Sequence, residues 1–150
     1  LASESNPAAN LAALGPKSGH KVVRVGADGS AWFEAFRCKN CGAVFAEQTK
    51  ACRSCCGRDT LSAFRPAPIG KLYSWTVVHR SYPGIKVPFA SAIVDLQDGL
   101  ALKGTLRLDD LASLKAGMPV RLVIDDAGGA KDKDGRPYVG FHFIAEGEGA

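Results

Sequence analysis

Cys38-Lys39-Asn40-Cys41-Gly42 and, with ten residues between Cys41 and Cys52, Cys52-Arg53-Ser54-Cys55-Cys56-Gly57 decide how this chain is read. All five cysteines of the sequence fall within residues 38–56. Two Cys-x-x-Cys pairs joined by a short loop can bring four thiolates to the corners of one tetrahedron. Each pair makes a knuckle whose backbone amides point at the sulfurs. Gly42 permits the turn that the first knuckle needs. A disulfide framework fits an odd count of thiols poorly, and no export signal is read in the chain. A redox Cys-x-x-Cys has no need of a duplicate at this distance. The spacing therefore predicts a bound metal, zinc ahead of iron, although four thiolates suit either ion. Four thiolates leave no open coordination position, so the site is read as structural. Cys55 and Cys56 compete for the fourth place. Cys55 keeps the spacing of the first knuckle, whereas Cys56 directly precedes a glycine, as Cys41 does. The set Cys38, Cys41, Cys52 and Cys55 is favoured by the ligand spacings usual for structural zinc.

Working outward, the segments on either side of the knuckles are short and β-rich. Ahead of them, Asn6-Pro7 and Ala8–Leu14 predict a short helix closed by Gly15-Pro16. Lys17–His20 reads as linker. Val22–Val25 and Ala31–Arg37, about an Asp28-Gly29 turn, predict a hairpin that runs into Cys38. Ala43–Ala46 and Leu61–Phe64 flank the knuckles as short strands, completing a rubredoxin-like zinc ribbon. Arg65-Pro66-Ala67-Pro68 then makes a stiff boundary. Beyond it, strands are predicted over Lys71–Arg80, Phe89–Leu96, Leu100–Leu108, Val120–Ile124 and Tyr138–Ala145. A short helix is expected over Asp109–Ala116, and a polar, mobile loop over Asp125–Pro137. Three strands, a helix and two strands give the order of a five-stranded OB-fold barrel. The chain is thus expected to be mainly β, with an N-terminal helix and hairpin arm at 1–34, a zinc ribbon at 35–65, an OB fold at 66–146 and a disordered tail at 147–150.

A hydrophobic fraction of 46% fits a globular chain of one ordinary domain or two small ones. No apolar run approaches the ~20 residues that cross a bilayer, and clustered thiols fit a reducing cytoplasm. The net charge is +4. Residues 1–65 carry nine Lys/Arg against five Asp/Glu, and residues 66–150 carry ten against ten. The surplus lies entirely in the cysteine-bearing half, and so small a surplus reads as a solvated face.

One barrel segment carries more than a pattern. Gly70-Lys71-Leu72-Tyr73-Ser74-Trp75-Thr76-Val77-Val78-His79-Arg80, with Arg37–Gly42 and the second knuckle Cys52–Gly57, resembles the DUF35 family of acyl-CoA-associated OB-fold proteins. Pro88-Phe89-Ala90 and Ala116-Gly117-Met118-Pro119-Val120 resemble it too, so the likeness runs over residues 35–145. The chain departs from the family pattern at Cys56, at the absence of proline after Cys52, and at the hairpin over 21–37. The resemblance implies a small accessory subunit that binds a thiolase-fold or hydratase-like enzyme in a hetero-oligomer. The pair would hold an acyl-CoA thioester for making or breaking a carbon–carbon bond, with the catalytic groups on the partner.

The residues themselves agree with a non-catalytic reading. His20, His79 and His142 are scattered, and no nucleophile–base constellation is recognised. His142 is read as a packed or surface histidine, and Asp125-Asp126 and Asp132/Asp134 as solvated. Two other classes are weighed. A single-stranded nucleic-acid-binding OB face wants aromatics among basic residues on the second and third strands. Here Phe89, Lys103 and Arg107 are offset by Asp95 and Asp98. Rubredoxin-like electron transfer would require iron. The candidate contacts to partner or CoA are Trp32, Phe33, His79, Arg80, Tyr82, Ile85 and Phe89. The apolar load of the Tyr82–Phe89 loop is the main reason, with a plug for the barrel mouth as the competing role.

Overall fold

The computed structural model describes residues 15–146. The expected helix over Ala8–Leu14 and the tail at 147–150 lie outside them. The chain enters along the edge of the barrel that it builds later. β1 (Lys17–Ser18) pairs in parallel with the last strand at Tyr138 and Val139, where the sequence suggests only linker. Lys17 N–H donates to the Pro137 carbonyl at 2.9 Å and Gly19 N–H to the Val139 carbonyl at 3.0 Å. Arg136 Nε, from far along the chain, donates to the Gly15 carbonyl at 2.7 Å. Two residues carry no periodicity of their own; this strand exists because its partner supplies the bonds.

β2 (Val23–Val25) and β3 (Ala31–Phe33) form the expected hairpin. Asp28 Oδ1 accepts from both the backbone N–H and the hydroxyl of Ser30, which closes the turn, and Gly29 takes φ +85°. The hairpin stops at Phe33. β4 (Ala35–Cys38) leaves it for a second sheet, between β5 (Val44–Phe45) and β6 (Leu61–Phe64). That three-stranded sheet is the ribbon.

The barrel uses β7 (Ile69–Val78), β8 (Phe89–Leu96), β9 (Ala101–Arg107), β10 (Pro119–Asp125) and β11 (Tyr138–Ala145). β7 pairs with β8 and with β10, β8 with β9, and β11 with both β10 and β9, so the sheet closes on itself. This is the expected five-stranded OB barrel. β7 serves two neighbours because a bulge between Leu72 and Ser74 bends it. The strand ends at Val78, leaving His79 and Arg80 beyond it in the exposed loop. Gly70 is required where the strands cross, since a Cβ there would overlap the Asp95 carbonyl. The helix expected over Asp109–Ala116 is one 3-10 turn, Leu111–Ser113, capped by Asp110. Gly117 N–H bonds to the Leu72 carbonyl at 2.7 Å, so the chain is drawn into the barrel before a second turn can form.

One core runs through arm, ribbon and barrel. Leu72, Val94, Leu106, Val120 and Phe143 fill the barrel, and the arm's Val22 and Val23 and the ribbon's Ala35 are buried with them. Val44 and Phe64 of the ribbon pack against the same cluster. A smaller cluster, Phe36, Cys38, Cys52 and Leu61, lies under the knuckles. Gly104 leaves space that the Phe141 and Phe143 rings fill; each has a carbon 2.9 Å from where its Cβ would stand.

Candidate functional site

The ribbon strands hold the two knuckles face to face. Cys38 ends β4 and is buried; Cys52 is buried; Cys41 and Cys55 sit at exposed corners. In the first knuckle Gly42 N–H donates to the Cys38 carbonyl at 2.9 Å, with φ +75° at Gly42. In the second, Cys56 N–H donates to the Cys52 carbonyl at 2.9 Å, with φ +63° at Cys56. Cys56 therefore stands where the first knuckle has its glycine, and its side chain is not among those that converge. The apparent match of Gly57 to Gly42 comes from a different cause. A Cβ at Gly57 would lie 2.8 Å from Asn40 Nδ2 and 3.0 Å from Thr60 Cγ2, so glycine is needed there for close packing.

The side chains of Cys38, Cys41, Cys52 and Cys55 bring their sulfurs within 4.8 Å of one another. Cys38 Sγ is 3.7 Å from Cys55 Sγ, and Cys41 Sγ is 3.6 Å from Cys52 Sγ. A tetrahedral ion with bonds of about 2.3 Å to sulfur sets its ligands about 3.8 Å apart, so the set fits zinc. These four thiols can bind such a metal, and no disulfide joins them.

The surroundings favour thiolates unevenly. Thr60 Oγ1, 3.2 Å from Cys38 Sγ, and the backbone N–H groups of Cys41 and Asn40 lower the Cys38 thiol to about 6. The Cys52 thiol is lowered by the N–H groups of Cys55 and Ser54. At Cys55 the Gly57 N–H favours thiolate, but burial and the sulfurs of Cys38, Cys41 and Cys52 outweigh it, and the thiol is pushed up to about 12. A cation among the sulfurs offsets that repulsion. At neutral pH, metal uptake must therefore displace the Cys55 proton, and affinity rises with pH.

The residues proposed for contacts separate into three places. Phe33 packs against the shared core, edge-on to Phe141 at 6.2 Å, and Trp32 is half-buried with the Arg65 guanidinium 4.9 Å from its ring. Their apolar surface is used within the chain. His79 and Arg80 are exposed just past β7. Tyr82, Ile85 and Val87 stand out on the loop, 82%, 49% and 37% exposed. Ile85 lies outside the core and does not plug the barrel.

Ile85 and Phe89 instead form one wall of a groove of about 890 Å³ on the outer face of β9 and β11. Its lining includes His142, expected from the sequence to be a packed or surface histidine. His142 is buried, and its Nδ1 is 2.6 Å from Asp125 Oδ2. Arg107 Nη2 lies 3.4 Å from that same oxygen. Asp125 is thus not solvated, and the Asp125–Pro137 loop is ordered at its start by the 3-10 turn Ala127–Gly129. The available signal was the alternation of β11, which puts Gly140, His142 and Ile144 on the face opposite Phe143.

A cysteine ribbon packed on a closed five-stranded barrel makes this a ribbon-bearing OB protein. Residues 65–125 match the family model described as ChsH2, C-terminal OB-fold domain. The chain is 29% identical over 133 residues to the benzoylsuccinyl-CoA thiolase subunit BbsA of Thauera aromatica, a likeness that covers 81% of this chain and 83% of that one. It is 29% identical over 72 residues to a DUF35 domain-containing scaffold protein of Methanocaldococcus jannaschii, covering 47% of this chain and 51% of that one. A solved structure described as Ltp2-ChsH2(DUF35) aldolase superposes with a TM-score of 0.62 at 24% identity, over 76% of this chain and 84% of that one. The chain is thus similar to DUF35 OB-fold proteins, through the barrel segment 65–125 and through relatives 29% identical to it.

Proposed function

We propose that this protein is a non-catalytic accessory subunit that binds a thiolase- or aldolase-type enzyme and helps it hold an acyl-CoA thioester. The observation that carries the reading is the likeness to the BbsA thiolase subunit. At 133 residues it is too long to be the barrel alone, so it reaches into the ribbon as well. Zinc, on Cys38, Cys41, Cys52 and Cys55, would hold the ribbon's shape; four thiolate ligands leave it no position for substrate. A reducing cytoplasm suits those thiols. The partner would meet Tyr82, Ile85 and Val87, since a loop exposing that much apolar surface gains by covering it. Phe33, packed on the shared core, contributes to the fold that presents this face, and Trp32, half-buried beside Arg65, could still be covered by the partner. His79 and Arg80, at the root of the loop, are placed to meet CoA phosphate or a partner carboxylate.

The purified chain, tested alone, neither cleaves nor condenses acyl-CoA thioesters, and activity appears only when a thiolase-fold subunit from the same host is added. Turnover by the partner-free chain, or no association with that subunit, would overturn the reading.

A further inference from the structure

The geometry points to a binding site, in the groove on the barrel's outer face, for an uncharged hydrocarbon alcohol whose hydroxyl donates to His142 Nε2. His142 is 8% exposed, and its Nδ1 lies 2.6 Å from Asp125 Oδ2. A carboxylate only accepts, so the ring nitrogen beside it is the one that donates. Neutral imidazole carries one N–H, so with the proton on Nδ1 the Nε2 atom presents a lone pair. Nε2 has no hydrogen-bond partner among the described residues, whereas every buried side-chain nitrogen or oxygen there has one. Nε2 is therefore reached from outside, and the His142 ring lines the groove. A histidine more than nine-tenths buried thus offers the groove an unused acceptor.

A simple latch between loop and barrel would not need this arrangement. Desolvating a carboxylate and an imidazole costs free energy that apolar side chains of similar volume would not. The turn that delivers Asp125 has Ala127 at φ +53°, a conformation that non-glycine residues adopt at a cost. It also needs Gly140 beside it, where a Cβ would stand 3.0 Å from Asp125 Oδ1 and 3.2 Å from Ala127 Cβ. Asp125 is held on its other oxygen as well, which accepts the Ala127 N–H at 2.8 Å. The orientation and tautomer of the His142 ring are fixed together, which is how a cavity aims one polar atom at a ligand.

The rest of the lining selects the head group. Its formal charges cancel, Arg107 against Asp125 and Lys86 against Asp109. His20, the other histidine of the lining, stands edge-on to Phe141 at 4.8 Å. A charged ligand would give up hydration with no surplus of opposite charge to meet it. A carboxylate would also set its oxygens against the Nε2 lone pair, and an ether or ketone has no proton to give. A hydroxyl is the smallest uncharged group that donates, and it brings no carbonyl to be desolvated as an amide does. The walls, Ile85, Phe89, Leu108, Leu111 and Ile144, take the hydrocarbon. A volume of about 890 Å³ lies in the range of small-molecule sites. Every group used belongs to this chain, so the site stands apart from the accessory-subunit reading.

The test titrates 4-phenylbutan-1-ol into the isotopically labelled full chain at about pH 8, where ordinary imidazole is neutral, and follows its NMR spectrum. Saturable shifts are expected over residues 105–108, 125–128 and 140–144. The ring nitrogens of His142 should show Nδ1 protonated and Nε2 bare in the free chain, and the alcohol should move the Nε2 signal. The methyl ether of the same alcohol keeps the hydrocarbon and loses the donor; it should bind about tenfold more weakly and leave Nε2 in place. The charged analogues 4-phenylbutyrate and 4-phenylbutylamine should each bind about tenfold more weakly or worse. His142→Phe should bring the alcohol down to the level of the ether, whereas a hydroxyl held by Thr105, which also lines the groove, would survive that change. If His142→Phe does not fold, the alcohol-to-ether ratio and the Nε2 signal of the wild-type chain still decide. A His142 ring protonated at both nitrogens, equal binding of alcohol and ether, equal or tighter binding of the acid or the amine, alcohol binding that survives His142→Phe, or no saturable shift would each overturn the assignment.

Discussion

Replacing Cys38 or Cys52 by serine removes one equivalent of metal and unfolds the ribbon. Structural zinc at a four-ligand site contributes on the order of 10 kcal/mol to the folded state, more than a small domain has to spare. Both thiols are buried in the cluster with Phe36 and Leu61, so no solvent-exposed arrangement of the loop can replace them. The loss travels, because Ala35, Val44 and Phe64 also belong to the barrel's core; the melting temperature of the whole chain should fall. Cys56→Ser should keep the metal, since the exposed Cys56 is not among the four cysteines whose sulfurs converge. Elemental analysis of the purified variants decides the matter. Metal lost on Cys56→Ser but kept on Cys55→Ser would assign the fourth ligand to Cys56.

Ile85→Asp abolishes association with the thiolase-fold partner while the melting temperature of the lone chain stays near wild type. Ile85 is about half exposed in the free protein, so the aspartate is hydrated there. In the complex the same carboxylate is buried without a counter-charge, which costs about 3 kcal/mol or more, a factor above a hundred in Kd. Tyr82→Ala, on the same loop, should also weaken association and leave the lone chain's melting temperature unchanged, since Tyr82 is 82% exposed. A fall of several degrees in the lone chain's melting temperature would show instead that Ile85 serves the fold. Retention of both stability and association would remove the loop from the interface.

Where strands carry their own signal, the sequence made them plain. Phe89–Leu96 and Tyr138–Ala145 begin and end where alternation and turn residues put them. Elements imposed from outside were not visible. β1 is two polar residues held by the edge of β11, and the segment 109–116 has caps and helix formers but is pulled straight by the Gly117 bond to Leu72. The cysteine pairs were legible because ligand spacing is a local property. The glycine-like role of Cys56 was not, because it depends on a backbone angle that no spacing records. Trp32 and Phe33 looked like free apolar surface for a related reason: the groups that cover them, Arg65 and Phe141, come from distant parts of the chain. The His142–Asp125 pair joins the loop end of β10 to the middle of β11, a register set by strand pairing across a long loop that carries no hairpin signature.

The parallel pairing of β1 with β11 changes what the ribbon is in polymer terms. The chain is tied to the barrel at Lys17–Ser18, leaves to build the hairpin and ribbon, and is tied again when β7 begins at Ile69. The ribbon is thus a loop clasped at both ends rather than a bead on a tether, and closing that loop restricts it even before its metal is counted. A protease cut within Arg65–Pro68 should therefore fail to separate the pieces. Two fragments on a denaturing gel should still elute as one species from a sizing column, because β1, Val22 and Val23 of the first piece remain embedded in the barrel of the second.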